Sequence, residues 1–180
     1  IAIAYQTFRI YRRNQSLEVQ ILNVKMAALR AQMNPHFIHN CLTAINRFIL
    51  NHEEDAASHY LIQFSRLIRD ILNFSRSDFI TLRQEFTALQ LYLEMESLRF
   101  SDKFTFEIVT EPDPLPEGLL IPPLLVQPYV ENAIYHGLLP KKGDRKVTVI
   151  VAVHETNMTI RVKDNGIGRK KAAENKQMDA

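Results

Sequence analysis

The chain has 180 residues, 46 % hydrophobic and 23 % charged, enough apolar material for one large domain or two small ones and too much for intrinsic disorder. A net charge of +2 argues against a dedicated nucleic-acid binder, which needs a clustered basic surface to neutralise phosphates. The single cysteine, Cys41, excludes an intrachain disulfide, suits a reducing compartment and reads as a small core residue.

The chain opens I-A-I-A-Y-Q-T-F-R-I-Y-R-R-N, an apolar stretch ending in Arg9, Arg12 and Arg13. It is far shorter than the roughly 20 apolar residues of a membrane span. Apolar residues followed by arginines are what the cytoplasmic end of a span looks like. Residues 1–15 are therefore read as a juxtamembrane segment of a longer, membrane-anchored protein, the other reading being the start of an ordinary amphipathic helix.

Leu17, Ile21, Val24, Ala28, Ala31, Pro35, Ile38, Leu42, Ile45 and Ile49 are spaced alternately by four and three, the seam of a coiled coil or helical bundle. A second stripe, Leu22, Met26, Leu29, Met33 and His36, widens the apolar face to one that suits a bundle. Within the seam lies N-P-H-F-I-H-N, Asn34 to Asn40. A mid-helix proline costs about 3 kcal/mol, so Pro35 has two readings. It is the kink of one continuous helix, which the unbroken seam favours, or the first position of a new helix capped by Asn34.

Asn51 to Asp55 break the pattern, and a second helix follows with Ala57, Tyr60, Leu61, Phe64, Leu67, Ile68 and Ile71 on one face. Ser75 to Asp78 read as a turn, and Thr81 with Gln84 fits a capping box opening a third helix to about Leu98. After Ser101, Phe104, Phe106 and Ile108 alternate with Thr105 and Glu107 as in a strand. Pro112, Pro114 and Pro116 make a rigid loop, and the pattern predicts a helix from about Pro123 to Gly137. Val147 to His154 and Met158 to Val162 read as a hairpin turning at Thr156-Asn157 and ending at D-N-G-I-G, Asp164 to Gly168. Helices followed by this mixed order describe an α+β protein whose second part starts near residue 101.

Three constellations carry chemistry. His36 and Asn40 are one turn apart on one helix face; a neutral imidazole is a good nucleophile near pH 7, and an amide at i+4 can orient a ring or a phosphoryl oxygen. His39 lies at i+3 from His36, but no third metal ligand is evident. Glu131 and Asn132 are polar residues inside an otherwise apolar helix (Leu124, Leu125, Val130, Ile134). Such hard oxygen donors suit Mg²⁺, which binds through one or two protein groups; the other reading is that Asn132 only hydrogen-bonds within the fold. In Asp164-Asn165-Gly166-Ile167-Gly168 the glycines admit close approach of a ligand and Asp164 can accept from an exocyclic amine, although D-N-G is also a common turn.

Taken together these segments resemble the cytoplasmic core of LytS-type sensor histidine kinases, whose phosphoacceptor segment reads like N-P-H-F-I-H-N. The resemblance extends through Leu91-Tyr92-Leu93-Glu94 and Arg99-Phe100 to the chain's end. It implies a helical-hairpin dimerisation region over residues 16–100, a four-helix bundle in the homodimer. Residues 101–180 would be the N-terminal part of an ATP-binding α/β sandwich of the GHKL (Bergerat) type shared with gyrase and Hsp90. It further implies that His36 accepts the γ-phosphoryl group of ATP, with Asn40 orienting it. Asn132 would ligate Mg²⁺ in the N box beside Glu131, with His136 near the phosphates. Asp164 would read the adenine amine, and Gly166 and Gly168 would begin the ATP lid.

Two positions depart from the family pattern. Phe37 stands where many relatives carry an acidic base, and Tyr135 stands where many carry a lysine. The lid's second glycine-rich segment does not occur before Ala180. The expected function is autophosphorylation followed by transfer to a response-regulator receiver aspartate, at the cytoplasmic face of the membrane, with Pro35 as the hinge and no nucleic-acid partner. The rivals are a non-catalytic dimerisation module and, more distantly, a gyrase-like ATPase in which Glu131 activates water.

Overall fold

The computed structural model describes residues 35–74, 76–101, 103–154 and 157–168, with the backbone alone for Pro35 and His36. Two compact units meet between Thr43 and Ala44. The juxtamembrane segment, the seam from Leu17 to Ala31, the turn residue Thr156 and everything after Gly168 lie outside the described residues. So does the choice between a kinked helix and an Asn34-capped one.

Helix α1 spans Pro35–Leu50. In the first unit, Phe37 and Cys41 are buried and Leu42 is 54 % exposed. In the second, Ala44 and Phe48 are buried and Ile49 is 56 % exposed. The buried stripe is thus Phe37, Cys41, Ala44 and Phe48, one position away from the expected seam of Ile38, Leu42, Ile45 and Ile49. Both stripes carry the same four–three spacing, so periodicity alone cannot say which one the chain buries in itself. In the second unit Phe48 meets Tyr60, with ring centroids 5.7 Å apart.

The turn after α1 places His52 at φ 60 and closes with Glu53 N–H donating to the Phe48 carbonyl at 2.9 Å. Helix α2, Glu54–Phe74, starts with Glu54 and Asp55 in its first turn, where carboxylates favour the helix dipole. It buries Ala57, Tyr60, Leu67, Ile71 and Phe74, much as expected. Of the expected face, Leu61 instead remains 47 % exposed, and Phe64 and Ile68 are half-buried.

Strand β1 (Ile80–Thr81) leads directly into α3 (Leu82–Arg99). The predicted capping box is present. The Thr81 hydroxyl accepts from Gln84 N–H at 3.2 Å, and the Gln84 side chain accepts from Thr81 N–H at 2.9 Å. Leu82, Glu85, Phe86, Ala88, Leu89, Leu91, Tyr92, Leu93, Met95 and Glu96 are all buried. Burial around most of the circumference marks an interior helix, and α3 packs against α2 as well as β1, β2 and β3.

The main sheet contains β2 (Thr105–Glu111), β4 (Lys146–Val153) and β5 (Met158–Asp164), in the order β2-β4-β5. Strand β4 runs parallel to β2 and antiparallel to β5, so the expected hairpin is present. Val147, Val149 and Val151 are fully buried, the alternation of a sheet with one covered face. Strand β3 (Leu120–Ile121) pairs with β1, Ile80 opposite Ile121. This mixture of helices and sheets fits the α+β class.

The helix expected from Pro123 to Gly137 is shorter and of two kinds. Helix α4 covers only Gln127–Asn132, and a π-helical segment follows over Ala133–Leu138. Leu124 has φ 56, which takes residues 123–126 out of the helix. The reason is Glu85 on α3, whose buried carboxylate accepts from Leu124 N–H at 2.8 Å and Val126 N–H at 3.1 Å. Amides that bond this carboxylate are not spent on a helical turn.

Burial lifts the Glu85 carboxyl above its ordinary 4.5, against the main-chain N–H groups of Val126, Leu124 and Leu125, which favour the charged form. The folded state therefore holds this proton at pH values where the unfolded chain has released it. The carboxyl's contribution to stability is full below pH 4.5 and declines as pH rises through the folded-state value. In urea unfolding, the stability of the native chain relative to Glu85→Gln is expected to fall as pH is raised from about 4.5 toward neutrality; a difference that stays flat with pH would contradict this account.

Candidate functional site

The segment 127–138 is amphipathic. Val130, Ala133, Ile134 and Leu138 are buried, while Asn132 and His136 are exposed. Glu131 is half-buried, and its Oε1 accepts from Gln127 Nε2 at 3.0 Å. Leu139 N–H donates to the Ile134 carbonyl at 2.9 Å, the i to i−5 bond of a π-helix. Such single π turns are frequent at functional sites, because the wider turn re-aims the side chains that follow. No side-chain hydrogen bond is made by Asn132 among the described residues, leaving its amide available to a ligand.

At the end of β5, Asp164 Oδ1 accepts from Gly166 N–H at 2.9 Å, bending the chain in a local side-chain turn. Ile167 N–H then donates to the Gly137 carbonyl at 3.1 Å. Asn165 locks the loop to the start of β4. Its N–H donates to the Lys146 carbonyl at 3.1 Å, and its Oδ1 accepts from Lys146 N–H at 2.9 Å. The fit is so close that a Cβ on Gly166 would lie 2.4 Å from the carbonyl carbon and oxygen of Gly137. A Cβ on Gly137 would lie 2.8 Å from Asp164 Oδ1. Gly168, at φ 81, needs the left-handed backbone that glycine adopts without strain.

The second and third sequence constellations therefore form one site, joined at Gly137. Asp164 Oδ2 accepts no protein hydrogen bond among the described residues and suits an amino-group donor. No cluster of three or more His, Cys, Asp or Glu side chains that could hold a metal occurs among the described residues. A lone asparagine amide beside a carboxylate matches Mg²⁺ carried in on phosphates and water, which needs one or two protein oxygens. His36 lies in the first turn of α1, with its side chain outside the described residues. Asn40, one turn on, is half-buried. Exposed His39 accepts at its carbonyl from the Thr43 hydroxyl at 2.9 Å.

Sequence reasoning missed how this site is supported. Tyr135 is turned to α3, where Arg99 Nη2 donates to its hydroxyl at 2.6 Å and that hydroxyl donates to Glu96 Oε2 at 3.1 Å. Arg99 also clamps Glu96 with both Nε (3.1 Å) and Nη2 (2.6 Å). The Glu96 side chain is fully buried. The Arg99 pKa is raised: burial works against the charge, but the hydrogen bond and the charge of Glu96 outweigh it. The readable signal was two glutamates, Glu85 and Glu96, embedded among apolar positions of one helix, with an arginine three residues after the second.

Residues 24–104 match the histidine kinase family. The chain is 33 % identical over 146 residues to the sensor protein LytS of Staphylococcus haemolyticus, covering 81 % of this chain and 24 % of that protein. It is 35 % identical over 159 residues to the sensor histidine kinase YpdA of Escherichia coli, covering 87 % and 27 %. Against LytS of Oceanobacillus iheyensis it is 32 % identical over 154 residues, covering 86 % and 26 %. Residues 24–104 thus resemble the histidine kinases, and over most of its length the chain is similar to sensor kinases of the LytS type. It spans about a quarter of the length of these curated relatives. Among the described residues no helix is long and apolar enough to cross a membrane.

A methyl group at residue 166 has only backbone to displace. Gly166→Ala is therefore expected to lower stability by about 1–3 kcal/mol and to loosen the loop, seen as faster amide exchange at Ile167. Unchanged melting and exchange would mean that the two segments are not in this register.

Proposed function

We propose that this chain is the cytoplasmic kinase region of a membrane-anchored sensor histidine kinase, which phosphorylates itself on His36 from ATP and passes the phosphoryl group to a receiver aspartate of a response regulator. The observation that carries the reading is the union of the Asn132 segment with the Asp164–Gly168 loop at Gly137. On this reading residues 16–100 form the dimerisation and phosphoacceptor region, residues 101–180 begin a GHKL-type nucleotide domain, and residues 1–15 adjoin the membrane. Exposed Leu42, Ile49, Leu50, Leu61 and Ile62 on α1 and α2 support a homodimer, because a large exposed apolar patch marks an interaction surface.

ATP supplies the phosphoryl group, and Mg²⁺ neutralises the charge on its oxygens. The protein's part in such a transfer is positioning and electrostatics. Asn132 offers an amide oxygen to the metal, with Glu131 beside it, and exposed His136 stands one turn further along. Asp164 accepts from the adenine amine through Oδ2 while its Oδ1 holds Gly166. Gly168 supplies the left-handed step from which the lid leaves the sheet. The neutral imidazole of His36 attacks the γ-phosphorus as the bond to the bridging oxygen breaks, oriented by Asn40 at i+4.

Incubated with γ-labelled ATP and Mg²⁺, the full-length protein is expected to take up label that is lost in acid and kept in base. Asn132→Ala is expected to reduce the labelling rate by at least about 100-fold, the order of losing a group that stabilises transferring charge. His36→Gln should take up none; label persisting in that variant refutes the assignment.

A further inference from the structure

The Arg99–Tyr135 contact is one half of a longer connection. Helix α3 ends at Arg99; the Leu98 carbonyl accepts from Ser101 N–H at 3.0 Å, and the Arg99 carbonyl, past the last helical turn, needs a donor from outside the helix. Arg47 on α1 fills that place: Nη1 donates to the Arg99 carbonyl at 3.1 Å, and Nη2 points to the Leu98 carbonyl at 3.5 Å. A cation at a helix C-terminus is favoured by the helix dipole as well. The same residue, Arg99, thus meets α1 through its main chain and the nucleotide segment through its side chain. Its guanidinium lies 3.7 Å from the centre of the Phe100 ring and 5.5 Å from that of Tyr135, and Phe100 and Tyr135 pack edge to face at 6.1 Å.

These contacts leave the guanidinium little freedom. It is bidentate on a carboxylate, stacked on an aromatic ring, and its side chain is only 14 % exposed. Bidentate arginine pairs fix geometry as well as energy. Tyr135 lies three residues after Asn132, one before His136 and two before Gly137. Where its hydroxyl is held, the rotation of the π-helical segment is set. Asn132 and His136 then face outward, and Gly137 meets the Asp164 loop.

We propose that Arg99 is the positioning residue of the nucleotide segment, and that Arg47 transmits the placement of the phosphoacceptor helix α1 to Asn132 through the chain Arg47–Arg99–Tyr135. The inference rests on the nucleotide reading of the Asn132–Asp164 site. Its physical content is that a displacement of α1 at Arg47 shifts the end of α3, and with it the anchor of Tyr135. Nucleotide binding and the position of the helix that carries His36 are then coupled in both directions, as linkage requires.

Replacing Arg99 itself would strand the buried Glu96 charge and unfold the region, so the test uses the two ends. A fluorescent ATP analogue with Mg²⁺ is titrated into the full-length protein, Arg47→Ala, Tyr135→Phe and the double variant. Each single change is expected to weaken binding roughly five-fold, the worth of one hydrogen bond of about 1 kcal/mol. The double variant should be no weaker than the weaker single, the non-additivity of residues acting through one connection. Arg47→Lys keeps a donor for the Arg99 carbonyl and should restore binding to within about twofold, a rescue that tests the donor itself. A double variant weakened by about 25-fold, the product of two independent effects, overturns the proposal. Amide exchange of residues 130–138, measured without nucleotide, should be faster in Arg47→Ala; unchanged exchange overturns the connection whatever the binding shows. A wild-type protein that binds no analogue refutes the nucleotide reading instead, and the exchange measurement still decides the Arg47–Tyr135 connection.

Discussion

Two buried carboxylates on one helix hold the candidate site together. Glu85 and Glu96 are 2 % and 0 % exposed, and a polar group so placed requires partners with good geometry. Glu85 finds them in the amides of Leu124 and Val126, ahead of α4. Glu96 finds them in Arg99 and Tyr135, beyond it. The segment bearing Asn132 is pinned at both ends by α3, and its rotation follows from those two attachments. Apolar packing alone, through Val130, Ile134 and Leu138, is non-directional and would tolerate slippage.

This arrangement makes α3 more than a third helix of a hairpin. Its N-terminus is set by Thr81, whose strand pairs with β3, and its C-terminus is met by Arg47 of α1. Its side chains reach α2 and all three of β1, β2 and β3. A helix buried on most of its surface transmits displacement more faithfully than a surface helix, because close-packed interiors are stiff. Such a helix is the natural rigid element between α1 and the segment that bears Asn132.

The local features of the sequence translated well, each because its cause is local. The Thr81–Gln84 capping box needs only residues three apart, and it is present atom for atom. The β4–β5 hairpin follows from alternating valines, and the turn at Asp164 from an Asx side chain bonding two residues on. The buried face of α2 follows from 3.6-residue periodicity. Features that depend on a distant partner translated poorly. The two stripes of α1 have equal spacing, and contacts such as that of Phe48 with Tyr60 decide which is buried. The start of α4 moved from Pro123 to Gln127 because Glu85, some forty residues earlier, takes the amides that an earlier helix would have used.

The sequence by itself determined the chemical inventory: an imidazole beside a proline, the Glu131-Asn132 pair, the D-N-G-I-G loop, and the order of helices before mixed strands. It determined the resemblance as well, since the chain is 33 % and 35 % identical to the LytS and YpdA sensors over most of its length. The tertiary structure alone decided that Gly137 and Gly166 touch closely enough to exclude any side chain. It also decided that Tyr135 turns inward to Arg99 and that Arg47 completes the end of α3. The physical reason is the same in each case. Propensity, capping and turn chemistry act over three or four residues, whereas the pairing of a buried charge or the close approach of two backbones is settled only when remote segments compete for the same space.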